Sequence, residues 1–145
     1  MHNVSATGIK MRLVASLTFP AGFDITQFAD DGDPLNSENL TIAETAAALN
    51  GDLVAWGKPN VIPLTVAVLP DTDEDRNLSI LWNVNRIGKN KVAVQDIITL
   101  VVTYPNGDQK ILSNGVMISG PALNSGSSEG RLKTKEYEFS FESII

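Results

Sequence analysis

Hydrophobic residues recur along this chain with two different periods. Over residues 8–19 they alternate: Ile9, Met11, Leu13, Ala15, Leu17 and Phe19 share one face, and Lys10, Arg12, Ser16 and Thr18 occupy most of the other. A period of two marks a half-buried strand, which Pro20 and Gly22 are expected to stop. FDITQF adds at most a short strand before ADDGDPLNSEN, a turn-rich acidic loop holding Asp30, Asp31, Asp33 and Glu38. LTIAETAAALNG reads both ways, because its alanines favour helix while Leu40 and Ile42 alternate; Asn50-Gly51 then turns into the short strand DLVAW. VIPLTVAVLP is a mostly apolar strand ended by Pro70. DIITLVVTY, PNGD and QKILSNGVMISG form the clearest hairpin, with Pro105 at the first turn position and Gly107 at a positive-φ position of a type I turn with a bulge. That turn sets Val101 opposite Ile111 and Leu100 opposite Leu112, so both faces of the hairpin carry aliphatic residues. GPALNSGSSEG is small and polar, and RLKTKEYEFSFESI ends the chain with Tyr137, Phe139 and Phe141 on one face and Glu136, Glu138 and Glu142 on the other.

The second period occurs once, over residues 71–88, DTDEDRNLSILWNVNRIG. Asp71 or Thr72 offers an N-cap oxygen and Asp73, Glu74 and Asp75 place negative charge on the first turn. Arg86 and Lys89 are expected on the last turn, with Gly88 closing the helix. At ~100° per residue, Leu78, Leu81 and Trp82 fall on one side and Ile80, Val84 and Ile87 on another. The apolar arc covers roughly 220°, where one core requires little over ~100°. The helix and the hairpin therefore both carry more apolar surface than a lone subunit hides.

Roughly six to eight strands and one main helix, without βα alternation, predict a mainly β fold, an antiparallel β-sandwich or barrel with one flanking α-helix. The length of 145 residues fits a single domain over residues 1–145, with extended loops at 20–40 and 120–130. A net charge of −6 argues against a general nucleic-acid binder, without excluding a surface past which DNA slides without sticking. Cysteine is absent, which removes disulfides, thiol nucleophiles and thiolate metal sites. No apolar run is long enough to span a membrane, and MHNVSATGIK lacks the order of a signal peptide, so a protein made in a cytoplasm is expected.

Candidate chemistry is sparse. Asp71, Asp73, Asp75 and Ser79 stand at calcium-loop positions, but Arg76 and Trp82 occupy the places of the turn glycine and the bidentate glutamate, leaving a helix cap. Glu136 and Glu138, with Glu142 farther along the same strand face, suggest paired carboxylates, since residues two apart on a strand lie ~7 Å from each other, but the convergent partners a hydrolase requires are missing. His2 is the only histidine, GSSEG lacks the lysine of a phosphate loop, and the sequons at Asn3, Asn39 and Asn77 have no secretion signal. No catalytic, cofactor or metal site is expected. If the first and last strands were neighbours, Lys10 and Arg12 would pair with Glu136 or Glu138 in a surface ladder; a second reading has the glutamates line a passage for a polyanion.

TGIKMRLVASLTFPAGFDITQFADDGDPL, IAETAAALNGDLVAWGKPNVIPLTVAVLPDTDEDRNLSILWNVNRIGKNK, DIITLVVTYPNGD and EGRLKTKEYEFSFE together resemble the tail tube proteins of contractile-tailed bacteriophages, similar in fold to the tube protein of type VI secretion. The resemblance covers residues 7–142 and rests on runs of sequence rather than on a catalytic signature. It implies a virion protein, assembled in the host cytoplasm, whose hexameric rings stack into the hollow tube through which DNA is ejected. The implied partners are further copies of the chain, the tail sheath, the tape measure protein, and the baseplate and tail terminator proteins. On this reading Glu136, Glu138 and Glu142 face the lumen and Ile80, Val84, Ile87, Leu100 and Leu112 meet neighbouring subunits. Asp30, Asp31, Asp33 and Glu38 then reach the next ring or the sheath. Two alternatives are a carbohydrate-binding β-sandwich module, requiring an exposed platform around Trp56 or Trp82, and a related terminator or baseplate tube component.

Overall fold

A computed structural model describes residues 8–28, 34–126, 128 and 130–145. Strands β1 (Lys10–Ala15), β2 (Phe19–Ile25), β3 (Leu35–Asn36), β6 (Ile62–Val68), β7 (Ile98–Thr103), β8 (Gln109–Ser119) and β9 (Lys135–Ile144) form one antiparallel sheet in the order β2-β1-β7-β8-β9-β6-β3. It curves into a half-barrel carrying α1 (Asp73–Asn85), the single helix among the described residues. β4 (Ala43–Ala47) and β5 (Leu53–Gly57) form a separate two-stranded ribbon. The mainly β, antiparallel expectation holds, as a half-barrel with a helix.

Alternation builds the core. Met11, Leu13 and Ala15 of β1, Ile98, Leu100 and Val102 of β7, and Tyr137, Phe139 and Phe141 of β9 are all buried on one face. Leu78 and Leu81 of α1 join the same cluster, with Trp82 packed at its margin. At Gly115, a Cβ would stand 2.2 Å from Cδ1 of Phe141, its partner across the β8–β9 ladder, so only glycine lets this ring lie flat.

Two buried carboxylates fasten the helix ends. Thr72 is the N-cap, its hydroxyl accepting from the Asp75 amide at 3.2 Å. Asp75 in turn accepts from the Asp71 amide at 3.1 Å, Tyr137 Oη at 2.9 Å and Lys135 Nζ at 3.2 Å, tying the first turn to β9. Beyond the other end, Asp96 accepts from the amides of Leu17 and Thr18 at 2.8 and 2.9 Å, the Thr18 hydroxyl, and Asn85 Nδ2 at 2.9 Å. This second carboxylate links the β1–β2 turn to the end of α1. Burial pushes its pKa up, but hydrogen bonds from Thr18, Asn85 and the two amides outweigh that and hold it below the ordinary carboxylate value.

Several local expectations change. The first strand ends at Ala15, the turn lies at residues 16–18, and Pro20 and Gly22 belong to β2. Proline is tolerated there because β2 is an edge strand, and Gly22, at φ 78°, occupies a tight spot where a Cβ would lie 2.9 Å from the Leu13 carbonyl oxygen. The helix stops at Asn85 with Arg86 as its extended C-cap, so Arg86, Gly88 and Lys89 lie past the last turn; Arg86 instead covers the Trp82 ring at 5.5 Å. The ambiguous alanine-rich segment is strand β4, and a short strand, β3, lies within the turn-rich acidic stretch, ahead of Glu38. The β7–β8 turn follows expectation, with Gly107 at φ 94° donating to the Tyr104 carbonyl at 3.0 Å, and Val101 opposite Ile111, Leu100 opposite Leu112.

Candidate assembly surfaces

Three outward surfaces remain once the core is closed. The first is the outer face of the sheet. Glu136, Glu138 and Glu142 project from it, alternating with the buried Tyr137, Phe139 and Phe141. Glu138 lies across from Thr65 of β6 and shares a shallow recess with Asn36 and Glu38. Glu38 thus joins the acidic side of the sheet, a juxtaposition that sequence separation conceals. Asp30, Asp31 and Asp33 lie outside the described residues. Lys10 and Arg12 do not meet these glutamates, because β7 and β8 stand between β1 and β9; Arg12 pairs with Asp24 of β2 at 2.9 Å.

The hairpin residues divide between inside and outside. Leu100 and Leu112, expected at subunit contacts, are buried in the core, 0% and 4% exposed. They point beneath the sheet because the turn sets them as a facing pair on the side that Phe139 and Leu13 share. The outward positions of the same ribbon are Val101, half-buried, and Ile111, exposed. Val116 and Ile118 extend this apolar strip along β8.

The second surface is the outer ridge of α1. On the helix Ile80 is 49% exposed and Val84 half-buried, while Leu78 and Leu81 face the core; Ile87, expected on the same stripe, is 79% exposed but lies past the helix end, because the backbone turns extended at Arg86. The segment after the helix folds back beside this ridge, the Val94 amide donating to the Val84 carbonyl at 2.9 Å, and leaves Val92 and Ile97 exposed as well.

The third surface is one that sequence patterning missed. Every residue of β4 and β5 is exposed, including Leu53, Val54 and Trp56. The ladder pairs Glu44 with Trp56 and Ala46 with Val54, and Lys58 reaches Glu44 at 3.0 Å. Side chains therefore alternate between one face with Ile42, Trp56 and Val54 beside Glu44 and Ala46, and a second with Thr45, Ala47 and Ala55 beside Leu53. Neither face rests on the sheet or the helix. Trp56 and Trp82 stand apart: one is half-exposed on the ribbon, the other lies under Arg86 beside the core.

Among the described residues no group of three or more acidic or histidine side chains is placed to hold a metal ion, and no helix is long and apolar enough to cross a membrane. The buried ionic groups, Asp75, Asp96 and Lys135, are all engaged in fastening the helix. The Tyr137 hydroxyl, bonded to Ser79 and Asp75, has its pKa raised by burial and by the neighbouring carboxylate, against the opposing Ser79 bond.

The model of the family described as tail fiber protein gp32 matches residues 2–145, and the chain belongs to that family. The fold is shared with three solved assemblies. The anti-feeding prophage tube-terminating cap superposes with a TM-score of 0.54 at 12% identity, covering 100% of this chain and 91% of that one. The sheath/tube terminator of an extracellular contractile injection system in its extended state gives 0.54 at 14% identity, covering 100% and 96%. A chain of the six-fold symmetrised anti-feeding prophage baseplate gives 0.53 at 9% identity, covering 100% and 95%. No curated protein sequence matches the chain.

Proposed function

We propose that this tail protein is a ring-forming subunit of the tail tube, six copies closing around a hollow axis and the rings stacking into the conduit for DNA. The observation that carries the reading is the amount of apolar surface left outside a finished core: the Ile80–Val84–Ile87 ridge, the Val101–Ile111 strip and the whole β4–β5 ribbon. A two-stranded ribbon without a covered face is marginal in water, so it implies a protein partner. The shared fold with terminator and baseplate proteins supports a ring, and a heterologous contact whose rotation closes is the geometry that makes one.

Glu136, Glu138 and Glu142, with Glu38 beside them, line the DNA passage on this reading. Like charge keeps the polyanion from adhering, so the subunit works by shape and charge without turnover. The sheet edges set a constraint on the ring. Ala67 donates to the Pro34 carbonyl, so alternation turns the odd-numbered backbone positions of β6 away from β9, and Pro63 faces its open edge without an N–H. With Pro20 on the other edge strand, continuous edge pairing is blunted at both ends. Side-chain contacts then hold much of the ring together. The sheath, tape measure, baseplate and terminator proteins are the remaining partners, and the virion tail is the site of action.

A second reading, a terminator or baseplate ring, is favoured by the three shared folds, which come from such positions. Negative-stain microscopy separates the readings. Long tubes are expected of a tube subunit and isolated rings of a terminator, whereas a strictly monomeric protein at every concentration overturns both.

A further inference from the structure

We propose that the β4–β5 ribbon is an arm that lies across the outer ridge of helix α1 on a neighbouring copy of this chain. The inference rests on the ring-forming reading above and specifies its contact. Three observations lead to it.

First, among the described residues the arm has no seat on its own subunit. Its backbone bonds are internal, from the Ala43–Ala47 and Leu53–Gly57 ladder out to the Lys58 amide on the Ile42 carbonyl, and Asn60, bonded to the Thr41 carbonyl, closes its base. At ~3.3 Å per residue the ladder and its turn extend roughly 25 Å, far enough to leave the subunit that carries it. Second, α1 presents a ridge of complementary character. Ile80 and Val84 follow the spacing of one helical stripe, Ile87 is exposed just past the helix end, and Val92 is exposed on the segment that folds back beside Val84, so the bulky face of the arm, Trp56 and Val54, has a matching apolar strip.

Third, the charges agree. The arm carries Glu44, Lys58 and, at its tip, Asp52, a net negative charge, whereas Arg86, Lys89 and Lys91 cluster just past the end of α1. An arm laid along the ridge brings the acidic tip to the basic end. The acidic outer face of β9, by contrast, would repel it. Because donor and acceptor surfaces differ, the contact is head-to-tail, as a closing ring or a stack of rings requires.

The absence of cysteine makes a clean cross-linking test possible. Ala46→Cys, on the bulky face of the arm, and Ile87→Cys, on the ridge, are prepared as separate proteins, mixed before assembly and treated with a short bis-maleimide. The expected product is a cross-linked heterodimer in assembled material. Val116→Cys, on the outer sheet face, should give none with the arm. Rings that form normally while the arm cross-links to Val116→Cys, to a second arm or to neither site overturn the inference and leave the ring reading standing. Failure of the unmodified protein to form rings overturns the ring reading and the inference together. As a second readout, Trp56→Ala should raise the concentration needed for assembly about tenfold or more, as for a buried aromatic anchor; an unchanged assembly concentration contradicts the contact.

Discussion

The half-barrel and the β4–β5 arm share a chain but follow opposite rules. In the half-barrel, residues from α1 and every long strand close a common core, and among the described residues each buried side-chain polar atom has a partner. In the arm, ten ladder residues are exposed without exception. The comparison shows where a sequence is written for one subunit and where it is written for an assembly. A surface made for folding alone would not keep Trp56, Val54 and Leu53 in water on a ribbon that lacks a third strand.

Substitutions should divide along the same line. The largest loss of stability is expected at the N-terminal fastening of the helix. Lys135→Ala leaves the Asp75 carboxylate buried without its cation and should lower the unfolding free energy by about 3 kcal/mol or more, measured by urea denaturation. Asp96→Ala removes the acceptor shared by Leu17, Thr18 and Asn85 and should cost about 2–3 kcal/mol by the same measurement. Gly115→Ala drives a methyl group into Phe141 and should cost about 1–3 kcal/mol.

Asp96 also gives the core a pH signature. Its folded pKa lies below the unfolded value of about 3.9, so its contribution is fully present above that value and is lost as pH falls through the folded pKa. A denaturation series from pH 6 downward should therefore show an acid limb near about pH 4 and below that is shallower in Asp96→Asn. At the small end, Trp56→Ser should change the stability of the isolated subunit by less than about 0.5 kcal/mol. A loss comparable to that of Gly115→Ala would mean that the arm belongs to the subunit's own fold.

Most of the half-barrel was legible in the pattern because burial on one face imposes a period of two. The Tyr137–Phe139–Phe141 alternation, the two sides of α1 and the Leu100–Leu112 register all followed from spacing. Spacing did not tell which side of the β7–β8 ribbon faces inward, since both sides are aliphatic, and Leu100 and Leu112 proved to be core. Nor did it place Pro20 and Gly22 inside β2, because a proline is a stop signal only where the ladder needs its N–H. The arm was the least readable element. Its alanines fit helix as well as strand, and no buried face imposed a period on it. Glu38 and Glu138, a hundred positions apart in the chain, share a recess only because β3 and β9 flank β6.

Hydrogen exchange resolved over residues 42–58, compared between dilute subunit and assembled rings, tests the central claim most directly. The account predicts that the arm amides exchange rapidly in the free subunit and become strongly protected on assembly, while amides of β7 and β9 are protected in both. Arm amides already protected in the free subunit, or equally unprotected in the rings, would contradict it.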